Sequence, residues 1–277
     1  MARAPRKTSL TSSSNLQVER QARRINRQQK QLDRVMVNDM YGQSGTQLTG
    51  AKGRAITLKS LKELTPLTDT QHDFFDAYQD GEEAFVLYGS PGVGKSFLAL
   101  YHALKDILDP ESQYDKIIII RSSVQGRDQG FLPGTAEEKM EQFEAPYHSI
   151  CAELFGRGDA YEKLKDMGKI EFTSTSFLRS VTFNNAIIIV DEIQNETIET
   201  IGTVITRTGK NSKLIIMGDG LQNDLYKSKH DVSGFRDFIA VTKNMIEFRH
   251  FKFTSDDIVR SGICKSWIVS MEKLGLS

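Results

Sequence analysis

Gly89-Ser90-Pro91-Gly92-Val93-Gly94-Lys95-Ser96 carries the spacing G-x-x-x-x-G-K-[ST] of a phosphate-cradling loop. The apolar run Ala84-Phe85-Val86-Leu87-Tyr88 precedes it as a buried strand should, and Phe97 to Leu104 follow with helical composition. Glycines at 89, 92 and 94 allow backbone conformations closed to other residues, so that successive N–H groups converge on phosphate oxygens at a helix N-terminus. In such a loop Lys95 bridges the β- and γ-phosphates and the Ser96 hydroxyl is a magnesium ligand, so Gly89 through Phe97 form the expected nucleotide-binding segment. A Gly-rich turn that merely caps a helix is the plainer alternative.

Further strands are predicted at 116–121, 170–173 and 213–217, and between the last two Ala186-Ile187-Ile188-Ile189-Val190 runs into Asp191-Glu192. Ligands of open parallel sheets sit outside the carboxyl ends of the strands, which places both carboxylates beside the loop in a Walker B pattern. Asp191 is expected to bind magnesium through a water, and Glu192 to orient or deprotonate an attacking water. The segment Gly218-Asp219-Gly220-Leu221-Gln222 ends the following strand and makes Gln222 and Asp219 candidates to touch the γ-phosphate. Met245 to Phe248 is predicted as the last strand. Asp256 to Leu274 is the expected closing helix, with Ile258, Val259, Ile263, Trp267, Ile268 and Met271 as its apolar face. The fold class expected is α/β: a P-loop NTPase core with a mainly parallel sheet flanked by helices.

The chain has 277 residues, 39% of them hydrophobic and 26% charged, ordinary for a globular protein. No apolar run approaches the ~18 residues of a membrane span, and the N-terminus lacks the apolar core of a signal peptide, so a cytoplasmic location is expected. Cys151 and Cys264 have no metal-ligand spacing and are expected as buried free thiols. A net charge of zero conceals an asymmetry: residues 1–60 carry 12 Lys or Arg against 3 Asp or Glu, and residues 61–277 carry the opposite excess. The basic arm is expected to be polar and unfolded to about Asn15, then helical from about Leu16 to Met40, with a Gly-rich linker at 42–53. Its Arg20, Arg23, Arg24, Arg27, Lys30 and Arg34 suit either a solvated face or a nucleic-acid contact.

Together these motifs resemble the PhoH-like family of ATPases, whose sequences are similar to the first motor domain of superfamily-one helicases. Beyond the loop the resemblance rests on Gly130-Phe131-Leu132-Pro133-Gly134, Phe183-Asn184-Asn185-Ala186, Asp191-Glu192-Ile193-Gln194-Asn195, Ile205-Thr206-Arg207, Gly218-Asp219 with Gln222 and Asp224, and Asp257-Ile258-Val259-Arg260. The chain departs from the family pattern at Ser122, Asn223 and Ser261. The resemblance implies that Gln71 reads adenine, hence ATP as the nucleotide with Mg2+, and that Arg121 lies near a nucleic-acid strand. With room for one motor domain, the charge-stabilising arginine must come from the chain's own tail or from a neighbouring subunit, and Arg207 and Arg260 are the candidates. A ring-like homo-oligomer, a hexamer by resemblance, is therefore expected, coupling ATP hydrolysis to RNA or single-stranded DNA. A nucleotide-gated binding switch is the alternative, and a small-molecule kinase lacks a recognisable acceptor pocket or lid.

Overall fold

A computed structural model describes residues 55–122, 136–178, 181–219, 234–260 and 262–274. The basic arm and its expected helix, the linker at 42–53, the segment 130–134, and Gln222 with Asn223 and Asp224 lie outside the described residues, as does Ser261.

Six strands, β1 (Ala84–Gly89), β2 (Lys116–Arg121), β3 (Ile170–Ser174), β4 (Ala186–Asp191), β5 (Lys213–Gly218) and β6 (Phe248–Phe253), form one sheet in the order β3-β2-β4-β5-β1-β6. Every neighbouring pair is parallel. The Ile- and Val-rich runs suit this arrangement, because a parallel sheet between helices buries both faces of each central strand. Register makes the two faces explicit. Val86 pairs with Ile216, Ile216 with Val190 and Val190 with Ile120, and this row belongs to one apolar layer. The alternate row, Phe85, Ile215, Ile189 and Ile119, belongs to the other.

Helices α1 (Asp69–Gln79), α2 (Lys95–Ile107), α3 (Ala136–Phe155) and α4 (Ala160–Asp166) cover the second of these layers, burying Phe74, Leu100, Leu104, Tyr147, Cys151 and Tyr161 among others. Helices α5 (Ile198–Ile205) and α6 (Phe235–Thr242) cover the first through Ile201, Val204, Phe235 and Phe238. Thr68 and Thr197 start α1 and α5 by accepting from the N–H groups of Gln71 and Thr200, the usual work of an N-cap hydroxyl. Helix α7 (Gly262–Leu274) ends the described chain. Among the described residues no helix is long and apolar enough to cross a membrane.

Five expectations are corrected. The last strand is Phe248–Phe253, not Met245–Phe248. Met245 to Glu247 are an exposed turn after α6, with Ile246 91% exposed. As an edge strand beside β1, β6 alternates polar with apolar residues and presents no continuous apolar run. The closing helix starts at Gly262, because Thr254 and Asp257 cap each other around a separate 3-10 turn at Ser255–Asp257. Its expected apolar face is mostly outward: Ile258 is buried and Ile268 packs on the core, but Ile263 is 87% and Trp267 67% exposed. The packed chain also reaches N-terminal of residue 61, since Ile56 is buried in the core. Cys151 and Cys264 are free, the first buried and the second only half-buried.

Candidate functional site

The loop joins β1 to α2 where the sheet brings the carboxyl ends of β1, β5 and β4 side by side. Gly89 has φ 115, and a Cβ there would lie 2.0 Å from the carbonyl oxygen of Phe253, so only glycine lets the loop leave the sheet against β6. Gly94 caps α2 in the left-handed conformation. Lys95 opens that helix, and its ammonium donates to the carbonyls of Gly89 and Ser90, both at 2.9 Å. Burial pulls the Lys95 ammonium below its ordinary pKa, while the charges of Asp219, Asp191 and Glu192 pull it back up. Val93 is fully buried and anchors the loop, Pro91 and Gly92 are half-buried, and Phe97 packs on the core below. Gln71 is buried behind the loop, where its amide donates to the Val93 carbonyl at 3.2 Å and accepts from the Leu67 N–H at 2.8 Å. One end of that side chain braces the loop and the other holds the segment that leads into α1.

Asp191 closes β4. Its Oδ2 accepts from the Ser96 hydroxyl at 3.0 Å and from the Tyr147 hydroxyl at 2.8 Å, while its Oδ1 accepts from the Glu192 N–H at 3.0 Å. Ser96 and Asp191 are thus brought together from positions 95 residues apart. Glu192 stands in the left-handed region with φ 59 and ψ 38, a conformation that costs a non-glycine residue about 1–2 kcal/mol and concentrates at functional sites. Burial first, and the Asp191 charge second, raise the Glu192 pKa above the usual carboxylate range; Gln194, Arg121 and Lys95 oppose them. The Gln194 amide donates to Glu192 Oε2, and its oxygen accepts from the Asp219 N–H at 3.0 Å. A buried glutamine therefore ties the end of β4 to the end of β5.

Asp219 is buried at the end of β5, between the loop strand and the Asp191 strand. Arg121 turns inward rather than toward an open face: it donates to the Phe143 carbonyl at 3.0 Å and lies 3.8 Å from Glu192 Oε1. The two candidate arginines separate. The Arg260 stem lies over the loop, its Cδ 3.3 Å from where a Cβ on Gly92 would stand. Arg207 offers its carbonyl to the Phe183 N–H at 2.9 Å, before β4 begins, so the whole length of β4, about 17 Å, separates that level from Asp191. From there Arg207 cannot reach the loop of its own chain.

Tyr147, Gln194 and Glu272 are the site residues that sequence reasoning did not single out. Glu272 of α7 accepts from the Ser90 hydroxyl at 2.8 Å. Tyr147 lies on α3, between β2 and β3, and no motif marks it. Gln194 had a signal in its place two residues after Glu192.

A family model described as PhoH-like protein matches residues 63–272. A PhoH-like protein of Synechocystis sp. is 31% identical over 207 residues, 74% of this chain and 61% of the relative. A Bacillus subtilis PhoH-like protein is 31% identical over 80% of this chain and 66% of its own length. For the Escherichia coli protein PhoH the figures are 27%, 90% and 69%. The chain spans 55% to 61% of the length of the first relatives it matches. Among solved structures, the Pif1 helicase from Candida albicans is similar at 15% identity and TM-score 0.33, covering 69% of this chain and 41% of that one.

Proposed function

The chain belongs to the PhoH-like protein family, and on that premise we propose that it is an ATPase whose turnover is coupled to RNA or single-stranded DNA in a ring-like, hexameric homo-oligomer of the cytoplasm. One observation carries the ATPase reading. Lys95 and Ser96 from the start of α2, Asp191 and Glu192 from the end of β4 and Asp219 from the end of β5 converge at one end of the sheet, with Ser96 and Asp191 3.0 Å apart. A hydroxyl and a carboxylate at that spacing fit a magnesium ion that takes its remaining oxygens from water and phosphate. When bound, that ion offsets charge that builds on the transferring phosphoryl group.

The residues then divide the work. The loop N–H groups and the α2 N-terminus hold phosphate oxygens, and Lys95 exchanges the carbonyls of Gly89 and Ser90 for the β- and γ-phosphates. Gln71 keeps the loop in place from behind, and adenine recognition by it requires one of its two bonds to open. Glu192, held in a strained conformation and more basic than an ordinary carboxylate, aligns a water and takes its proton. Asp219, at the end of β5, reports on the γ-phosphate together with Gln222. Arg260 supplies positive charge to the loop of its own chain, and Arg207 serves only the site of a neighbouring subunit.

Nucleic-acid coupling is supported by the excess of 12 basic over 3 acidic residues in the first sixty. ATP hydrolysis measured alone and with RNA, single-stranded DNA and duplex tests it. Stimulation by a single strand is expected, and removing residues 1–54, which keeps the buried Ile56, should flatten the log–log salt slope of binding by about 0.7–0.9 for each phosphate that the arm neutralises. No stimulation by any polymer would leave the second reading, a nucleotide-gated switch. The Ser90–Glu272 bond favours that second reading, because a carboxylate resting on the loop must yield to an incoming triphosphate.

A further inference from the structure

We propose that helix α3, the insertion between β2 and β3, sets the geometry of both Walker B carboxylates, with Tyr147 as the positioning residue for Asp191. This rests on the nucleotide reading above. Tyr147 is 1% exposed, and its hydroxyl donates to Asp191 Oδ2 at 2.8 Å. The Ser96 hydroxyl and the Glu192 N–H complete the set of donors around that carboxylate, so its rotamer is held from α2, α3 and its own backbone. A buried tyrosine hydroxyl needs a partner, and here that partner is the carboxylate of a proposed metal ligand, held by a charge-assisted bond.

The second tie comes from the same helix face one turn earlier. Phe143 and Tyr147 stand four residues apart, and Arg121 joins Phe143 to Glu192. Its guanidinium donates to the Phe143 carbonyl at 3.0 Å, stands 5.6 Å from the Phe143 ring centroid and lies 3.8 Å from Glu192 Oε1. A shift of α3 along its axis therefore moves a partner of each carboxylate at once. Sequence places Tyr147 44 residues from Asp191, and only the packing of α3 over β2 and β4 closes that gap.

The test uses the full chain and a ribose-labelled fluorescent ATP analogue, whose binding is followed by anisotropy in EDTA and then across a magnesium titration. Wild type is compared with Tyr147→Phe, which removes one oxygen, and with Phe172→Leu, which alters the ring packed 5.8 Å from Tyr147 but leaves the hydroxyl. Outer partners of metal ligands are worth about 10–100-fold in metal affinity. Tyr147→Phe is expected to raise the magnesium needed for half-maximal tightening by about tenfold, with binding in EDTA unchanged and Phe172→Leu close to wild type. A Tyr147→Phe midpoint at the wild-type value overturns the proposal. So does a Phe172→Leu shift of equal size, which would make the effect one of packing. Wild type that binds no analogue in either condition removes the nucleotide reading itself, and this inference with it.

Discussion

His102 offers a quantitative check on how the helix behind the phosphate loop is held. It lies on α2, 3% exposed, with its ring centroid 4.2 Å from Phe75, 4.5 Å from Tyr78, 5.1 Å from Tyr101 and 5.3 Å from Phe74. Its Nε2 has no hydrogen-bond partner among the described residues. Burial, reinforced by the charges of Lys105 and Lys213, pulls its pKa from 6.5 down to about 3. The unfolded chain therefore takes up this proton first as the pH drops. The stability held by neutral His102 is complete above the unfolded value and is lost as the pH falls from there toward the folded one. At about 1.36 kcal/mol per pH unit for one proton, the loss between about pH 7 and pH 5 is about 2 kcal/mol, a large share of a typical domain's 5–15 kcal/mol. The perturbation is His102→Leu, which keeps the site apolar and cannot titrate. Urea unfolding of both proteins at the two pH values gives the result as a difference of differences, in which every shared carboxylate and histidine cancels. The wild type should lose about 2 kcal/mol more than the variant on acidification. Equal losses would mean that His102 carries its proton in the folded protein, and the aromatic packing described around it would be wrong.

Replacing Glu192 by Gln keeps an oxygen for the Gln194 amide but removes the base, so labelled-nucleotide binding should persist while phosphate release falls by about 10²–10⁴-fold; turnover near the wild-type rate would strip Glu192 of that role. The two arginines separate by complementation. If Arg207 acts across subunits, mixing inactive Arg207→Ala with inactive Glu192→Gln should restore part of the activity, since each supplies what its neighbour lacks. An Arg260→Ala mixture should show no such recovery, and recovery there would contradict the placement of Arg260 over its own Gly92. Gly89→Ala must push the Phe253 carbonyl away from a 2.0 Å overlap and should cost more than about 3 kcal/mol. Gly81, also at positive φ but with nothing within 4 Å, should cost only about 1–2 kcal/mol on the same change, and equal urea midpoints for the two variants would refute the close approach at Gly89.

Much of the sheet could be read from composition alone, and the exceptions share a cause. Strands β1, β2, β4 and β5 are buried on both faces, so each needs an unbroken apolar run that stands out in any window. At the sheet edge β6 needs apolar residues on part of its surface only, and Phe248-Arg249-His250-Phe251-Lys252-Phe253 hides among loop-like neighbours. The tail misled in the opposite sense: Ile263 and Trp267 have helical spacing, yet periodicity says only that a helix has an apolar face, not that a core lies beneath it.

Local chemistry determined the phosphate loop, the pair Asp191-Glu192 and the expectation of an α/β sheet, because each depends on residues within a few positions of one another. Tertiary structure alone decided three things: that β5 intervenes between the loop strand and the Asp191 strand and so brings Asp219 into line; that Arg260 lies on the loop while Arg207 lies beyond the amino end of β4; and that Tyr147 reaches Asp191 from α3. The physical reason is the same in each case. Hydrogen bonds and charges act over a few ångströms of space, and the order in which parallel strands assemble sets which distant residues share that space.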